Sequence, residues 1–231
     1  MTATVRLVGI GPGAADLITL RGRQAIAEAD AIRHPAALES SILGLVRPGS
    51  DVAPFGPAEE VIALAEAGQD VAVLYRGDPY VFSSGGELAD ALARAGIDFE
   101  VIPGLLAETA APTLSGIPLT IEGRSASVSL GGTRSADTVV LRLAPGWLES
   151  AVGALLESGR PGDSPAVILD RPCRPARRLV TGTLAELPRL AAERGLPRET
   201  LLVVGPGVEV AERLDTLARR PLHGRRVLVT R

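Results

Sequence analysis

The 231-residue sequence has one cysteine, Cys173, and two histidines, His34 and His223. A lone thiol excludes an internal disulfide, and one Cys with two His is a poor ligand set for a transition metal. Lysine and asparagine are absent, so all 24 basic side chains are arginine. Without lysine there is no side-chain amine for Schiff-base chemistry, and no P-loop. Aromatic residues make up 3% of the chain and the formal net charge is −3. That combination provides neither the stacking surface nor the positive field on which nucleic-acid binding draws. No apolar run reaches membrane-spanning length, and the N-terminus has no basic-then-apolar signal pattern. The expectation is a cytoplasmic chain that binds neither nucleic acid nor membrane. With 46% hydrophobic and 22% charged residues, it can bury the core of one large domain or two modest ones.

What is present is an alternation of strands and helices. Val71 to Tyr75 has the length and β-branched content of a buried strand. Ser84 and Glu87 have capping-box spacing at the start of the following helix. Leu88, Ala91, Leu92 and Ala95 then recur at helical intervals, and Gly96 supplies the stop. Gly77-Asp78-Pro79 therefore lies where a parallel strand hands over to a loop. In open α/β sheets ligands bind at that edge. Gly77 admits close approach to the backbone, Asp78 can accept hydrogen bonds and Pro79 fixes the turn; an ordinary βα turn has the same composition.

Earlier in the chain, Val5 to Ile10 reads as a first strand running into Gly11-Pro12-Gly13, with a helix behind it. This is not the dinucleotide fingerprint. Ala14 stands where the third glycine belongs, and Pro12 disturbs the phosphate turn. Ala31 to Pro35 is a short second strand and turn, Pro57 starts a helix, and Asp98 to Ile102 is a further strand. A small-residue helix runs from about Leu106 to Leu114. These elements predict a mostly parallel sheet with helices on both faces. Beyond Thr120 the rhythm changes. Strands at Ser125–Leu130 and Thr138–Leu143 lie a short turn apart, and Ala166–Leu169 with Arg178–Thr181 forms a hairpin pair. Close pairs of this kind predict antiparallel segments in a mixed sheet, completed by Leu201 to Val204. The expected organisation is an N-terminal α/β domain over 1–121, a C-terminal α/β domain over 122–220, and a tail over 221–231.

Several of these stretches, in order, resemble the tetrapyrrole (corrin/porphyrin) methylase family. They are Val8-Gly9-Ile10-Gly11-Pro12-Gly13 with Asp16-Leu17-Ile18-Thr19, Gly77-Asp78-Pro79-Tyr80-Val81-Phe82, Ile102-Pro103-Gly104, and Ser115-Gly116-Ile117-Pro118-Leu119-Thr120. Gly182-Thr183-Leu184 and Val203-Val204-Gly205 continue the match, so the likeness spans about Thr4 to Val208. The resemblance implies the family's two-domain class III methyltransferase fold, with S-adenosylmethionine bound in the cleft between domains and a homodimeric assembly. It implies transfer of the sulfonium methyl to an electron-rich ring carbon. In the branch most similar to this chain, the acceptor is uroporphyrinogen III and the product is precorrin-2, for siroheme or cobalamin synthesis. By position, Pro12, Arg76, Gly77, Asp78, Val81, Leu106, Ala107, Leu143 and Gly205 are the implied cofactor contacts. Leu143 stands where the family commonly has a methionine.

Departures from the family pattern fall on the acceptor side. The family's proton-accepting acid, in a Tyr-Asp-Arg-Leu-type stretch, is replaced by Arg33-His34-Pro35-Ala36, and the segment from Ser40 to Pro57 is short. His34 is a candidate base or a surface histidine before a proline. Arg171, Arg174, Arg177 and Arg178 form a basic cluster, and Arg76 and Arg142 stand at or near strand ends. Arg76, Arg142, Arg171 and Arg174 are therefore candidate contacts for the acceptor's carboxylates, or members of a solvated surface. The alternatives to a uroporphyrinogen methylase are a family member with another acceptor and a non-catalytic, cofactor-binding interaction module. The final residues, from Arg220 onward, resemble the opening of uroporphyrinogen-III synthase, which implies a fused or partner synthase.

Overall fold

The apolar runs become the strands of two five-stranded sheets in a computed structural model that describes residues 4–132, 135–171, 173, 177–195 and 200–216. The tail over 221–231, with His223, and Arg174 lie outside the described residues. Contacts divide the chain into two units between Ala107 and Glu108, ahead of the boundary expected near Ile121. The reason is packing: Gly116 lies against the backbone of Leu214 and Asp215, and Gly207 against the Pro118 carbonyl. The segment after Ala107 thus belongs with the later strands. No helix among the described residues is long and apolar enough to cross a membrane.

In the first unit, β1 (Val5–Gly9), α1 (Leu20–Glu28), β2 (Ala31–His34), α2 (Ser40–Leu43), β3 (Asp51–Pro54), α3 (Ala58–Glu66), β4 (Val71–Tyr75), α4 (Gly85–Arg94) and β5 (Phe99–Ile102) follow one another. The sheet order is β3-β2-β4-β1-β5 and every pairing is parallel. Strand alternation divides the core. Val71, Val73 and Tyr75 face α3 and α4 with Val61, Leu88 and Leu92, whereas Ala72 and Leu74 face Ile26 and Ile42 on α1 and α2. β3 escaped the sequence reading because this edge strand is short and mostly exposed, so no apolar run marks it. The capping box expected at Ser84 does not form: Ser84 makes no side-chain cap to α4. Below it, burial and the nearby Glu87 push the phenol of Tyr75 up to about 12.

In the second unit, α5 (Ala107–Leu114), β6 (Val128–Leu130), β7 (Thr138–Leu143), α6 (Leu148–Glu157), β8 (Pro165–Asp170), β9 (Arg178–Thr183), α7 (Leu187–Arg194), β10 (Thr200–Val204) and α8 (Ala211–Leu214) surround a sheet of order β6-β7-β10-β8-β9. One face packs Val139, Leu143, Ile168, Leu202 and Val204 against α6 and α7. The sheet is mixed, but the parallel pair is not where the short connection suggested. β6 and β7 run parallel, correcting the antiparallel expectation, while β10 pairs antiparallel with β7 and β8, and β8 with β9. Asp137 explains the reversal. Its Oδ2 accepts from the backbone N–H of Ser127 and of Ala126, each at 2.9 Å, and from the Ser127 hydroxyl at 2.8 Å. The chain is therefore drawn back to the start of β6 before β7 begins. The same bonds from Ser127 and Ala126 hold the Asp137 carboxyl below its usual range.

Among the described strand residues of the first sheet, Arg33 on β2 is the arginine that is buried as a whole. Its Nε donates to Glu60 at 2.7 Å, Nη2 to Asp51 at 2.8 Å and Nη1 to the Ile32 carbonyl at 3.0 Å. Both acids reach solvent whereas Arg33 does not. Losing the acids therefore strands a buried charge, while losing the arginine leaves two carboxylates that water can hydrate. We expect Asp51→Asn with Glu60→Gln to cost about 3 kcal/mol in urea denaturation. Arg33→Met should cost about 1 kcal/mol, since the buried charge leaves with its partners still solvated.

Candidate functional site

In a parallel sheet all the strands end at one edge, and in the first unit that edge gathers most of the implied cofactor residues. β4, β1 and β5 are neighbours, and the backbone just past their ends converges. A side-chain carbon at Gly9 would lie 2.5 Å from the Gly104 nitrogen and 2.7 Å from the Gly77 carbonyl, and one at Gly104 would run into that same carbonyl. Gly77 N donates to the Gly11 carbonyl at 2.9 Å, and Gly11 N returns a bond of 3.3 Å to Gly77. Gly77 has a φ of +69°, a conformation costly to any residue with a Cβ. Leu106 stands in front of it, its Cδ2 3.4 Å from where that Cβ would be. Pro12 lies in the loop that Gly11 begins, and Val81 is bridged to Asp78. Pro12, Gly77, Asp78, Val81 and Leu106 thus share one edge.

Asp78 makes bonds within the chain. Its Oδ1 accepts from Tyr80 N at 2.8 Å and its Oδ2 from Gly104 N at 3.1 Å. The carboxylate braces the loop after β4 against the loop after β5, so its hydrogen-bonding is directed at the chain's own backbone. Arg76 is likewise engaged. Nη2 donates to the Ala37 carbonyl at 2.5 Å and pairs with Glu39 at 3.1 Å. Glu39 also lies beside Gly13, where a Cβ would sit 3.1 Å from its Oε1, so Arg76 is tied to the loop that carries Pro12. His34 ends β2 on the same edge. Its Nδ1 lies 2.7 Å from the Pro35 carbonyl, which assigns the ring proton to Nδ1 and leaves Nε2 as the basic nitrogen.

The residues expected from the second unit separate. Leu143 ends β7 and is paired in register with Thr200 at the start of β10, whereas Gly205 follows the far end of β10 against Thr138. Because β7 and β10 are antiparallel, Leu143 and Gly205 stand at opposite ends of the sheet and do not share a rim. Leu143 is a core residue, and with Ala144, Leu148, Pro188, Ala191 and Thr200 it lines a cavity of about 200 Å³ between α6 and α7. Ala107 is buried at the start of α5. Arg142 pairs with the buried Glu108, and Arg171 is exposed just beyond β8 with a φ of +51°. Cys173, in the same hairpin loop, has its thiol pushed up to about 11 by burial, against the pull of Arg177 and Arg142.

Sequence reasoning passed over Glu39 and Glu108. Nothing local marks them, since an acid that holds an arginine is indistinguishable in sequence from one on a solvated helix face. Gly9 and Gly104 were visible within their motifs, but their mutual contact is not a local property. The brace at Asp78 can be tested directly. Asp78→Ala removes the acceptor of two backbone N–H groups and should cost about 2 kcal/mol in equilibrium denaturation. Asp78→Asn, which keeps one acceptor oxygen, should cost less.

The profile described as Tetrapyrrole (Corrin/Porphyrin) Methylases matches residues 4–188. Siroheme synthase of Thiobacillus denitrificans is 33% identical over 91% of this chain and 50% of its own length. The chain thus spans about half the length of the curated relatives it matches. A crystal structure of uroporphyrin-III-C-methyltransferase from Thermus thermophilus is 34% identical, with a TM-score of 0.82 over 93% of this chain and 97% of that one. A further Thermus thermophilus uroporphyrin-III C-methyl transferase, complexed with S-adenyl homocysteine, is 28% identical, with a TM-score of 0.77 over 90% of this chain and 100% of that one. With a family match over most of its length, two sheets of the family's architecture and the strand-end glycines in their motifs, the chain belongs to the tetrapyrrole (corrin/porphyrin) methylases.

Proposed function

We propose that the chain is an S-adenosylmethionine-dependent C-methyltransferase that acts on uroporphyrinogen III and yields precorrin-2 for siroheme or cobalamin synthesis. The observation that carries this reading is the glycine corner, where three strand ends meet with Pro12, Gly77, Val81 and Leu106 around them. Likeness to a uroporphyrin-III C-methyl transferase complexed with S-adenyl homocysteine supports both the donor and the acceptor. The corner suits such a donor. A Cβ at Gly77 would close on Leu106, and the loops offer backbone groups beside apolar Val81 and Leu106.

When bound, S-adenosylmethionine supplies a methyl group made electrophilic by its sulfonium. The residues of this chain do the rest by holding and shielding. Asp78 keeps the loops after β4 and β5 at a fixed separation, Glu39 and Arg76 steady the Pro12 loop, and Leu106 and Val81 exclude water. Holding two reactants in line replaces a bimolecular encounter and can supply several kcal/mol of barrier lowering. With the donor held there, its carbon–sulfur bond would break as the acceptor ring carbon takes the methyl, S-adenosylhomocysteine would leave and the macrocycle would shed a proton; precorrin-2 takes two such transfers. We assign that proton to His34 Nε2, because the bond from Nδ1 to Pro35 orients the ring. The reading includes a cytoplasmic homodimer and a uroporphyrinogen-III synthase, fused or separate, that supplies the acceptor.

Calorimetry with S-adenosylhomocysteine and a turnover assay with uroporphyrinogen III test the proposal together. Binding with turnover is expected. Binding without turnover would transfer the reading to another acceptor or to a silent module, and absence of binding would end it. His34→Ala should leave the affinity for S-adenosylhomocysteine unchanged and lower kcat about 100-fold. Equal turnover by His34→Ala and the wild-type chain would remove His34 from the mechanism.

A further inference from the structure

The loop between β4 and α4 is held on both sides of Phe82. Before it, Asp78 Oδ1 accepts from Tyr80 N at 2.8 Å and Oδ2 from Gly104 N at 3.1 Å, and Val81 N donates to the Asp78 carbonyl at 3.4 Å. After it, the Ser83 hydroxyl donates to the Asp78 carbonyl at 3.1 Å and to that of Pro79. Gly85, which opens α4, backs onto the same Pro79 carbonyl so closely that a Cβ would sit 2.1 Å from its oxygen. With both flanks pinned, the backbone at residue 82 has little choice of conformation.

Phe82 takes up the connection with a φ of +55°. This left-handed region is unfavourable for a bulky side chain, which stays there only where its surroundings over-determine it. Glycine or asparagine adopts the same backbone more readily. Packing does not account for the ring. Phe55 meets Tyr75 at a ring separation of 5.4 Å, and Phe99 joins the core against α3 and α4. Phe82 is 65% exposed and is in neither apolar cluster of the first unit's described residues. A strained backbone thus holds an unpacked aromatic ring out at the strand-end edge. Val81 is bridged to Asp78, so the Cα of Phe82 lies within about 9 Å of the Asp78 Cα, beside the glycine corner.

We propose that Phe82 is a specificity-determining contact for the methyl acceptor, its ring taking the face of one pyrrole at the edge where the donor is held. The inference rests on the uroporphyrinogen methyltransferase reading for the identity of that acceptor. A ring carbon that takes the methyl in line must reach the same edge as the donor, and Phe82 stands there with its side chain uncovered. In a porphyrinogen, saturated carbons join the pyrroles, so each ring tilts independently and offers its own π face. An aromatic side chain meets such a face by offset stacking or edge-on. Because the loop is pinned before the acceptor arrives, little freedom is lost when the contact forms.

The test combines steady-state methyl transfer to uroporphyrinogen III, calorimetry with S-adenosylhomocysteine, sedimentation and urea unfolding. Phe82→Asn removes the ring and tolerates the backbone, and should raise KM for uroporphyrinogen III about tenfold. Phe82→Tyr keeps the ring and should keep the wild-type KM. The affinity for S-adenosylhomocysteine should stay at the wild-type value in both. Phe82→Gly relieves the strain and should unfold at or above the wild-type urea midpoint; it replaces Phe82→Asn in the kinetics should that variant fail to fold. A wild-type KM in Phe82→Asn overturns the proposal, as does an equal rise in Phe82→Tyr. A lowered urea midpoint in Phe82→Gly would make the ring a structural element, and an altered sedimentation coefficient in Phe82→Asn would give it to a contact between copies of the chain. Either result overturns the proposal too. The underlying reading fails separately, if the wild-type chain does not methylate uroporphyrinogen III at all.

Discussion

The first unit depends on backbone meeting backbone at the ends of β1, β4 and β5. Gly9, Gly77 and Gly104 approach so closely that a Cβ at Gly9 or Gly104 would enter a neighbouring main chain. Parallel strands ordinarily diverge into separate loops at their C-terminal ends, because each must turn towards its own helix. Here the reciprocal bonds between Gly11 and Gly77, and the Asp78 carboxylate on Tyr80 and Gly104, hold three of those loops together. The apolar strands determine where the edge is. The glycines and one aspartate determine what shape it has, and with it how near another molecule can come.

Strand and helix positions in the first unit were legible because both faces of the sheet are covered and the apolar runs are long. Val71 to Tyr75 and Val5 to Gly9 could hardly be anything else. β3 was not legible, since an exposed edge strand needs no apolar pattern. The direction of β6 against β7 was hidden for another reason. A short connection normally means a hairpin, and the bonds gathered at Asp137 hold the chain in the other arrangement. Ser84 shows the same limit at a smaller scale: the spacing of a capping box was present, but its side chain makes no cap.

At the site, sequence motifs identified which loops matter better than what their side chains do. Pro12, Gly77, Val81 and Leu106 fall together because a parallel sheet brings its strand ends to one edge. Asp78 and Arg76 are at that edge too, yet both are committed to the chain itself, one to backbone N–H groups and the other to Glu39 and Ala37. Pairings between residues far apart in sequence, such as Glu108 with Arg142, leave no local mark. With no lysine in the chain, every such acid meets a planar fork instead of a point charge, which favours fixed directions over mobile contacts.

The strand directions of the second unit have one more consequence. β10 runs antiparallel to both β7 and β8, so Thr200, Leu143 and Asp170 mark one pole of the sheet and Gly205 with Thr138 the other. Strand length separates the poles by roughly 15 Å. One is ionic and outward-reaching; the other is built of small residues against which backbone closes. Because the two share no side chain, substitutions at the charged pole leave the backbone closure at the opposite pole intact, and the unit can vary its chemistry at one end without being rebuilt at the other.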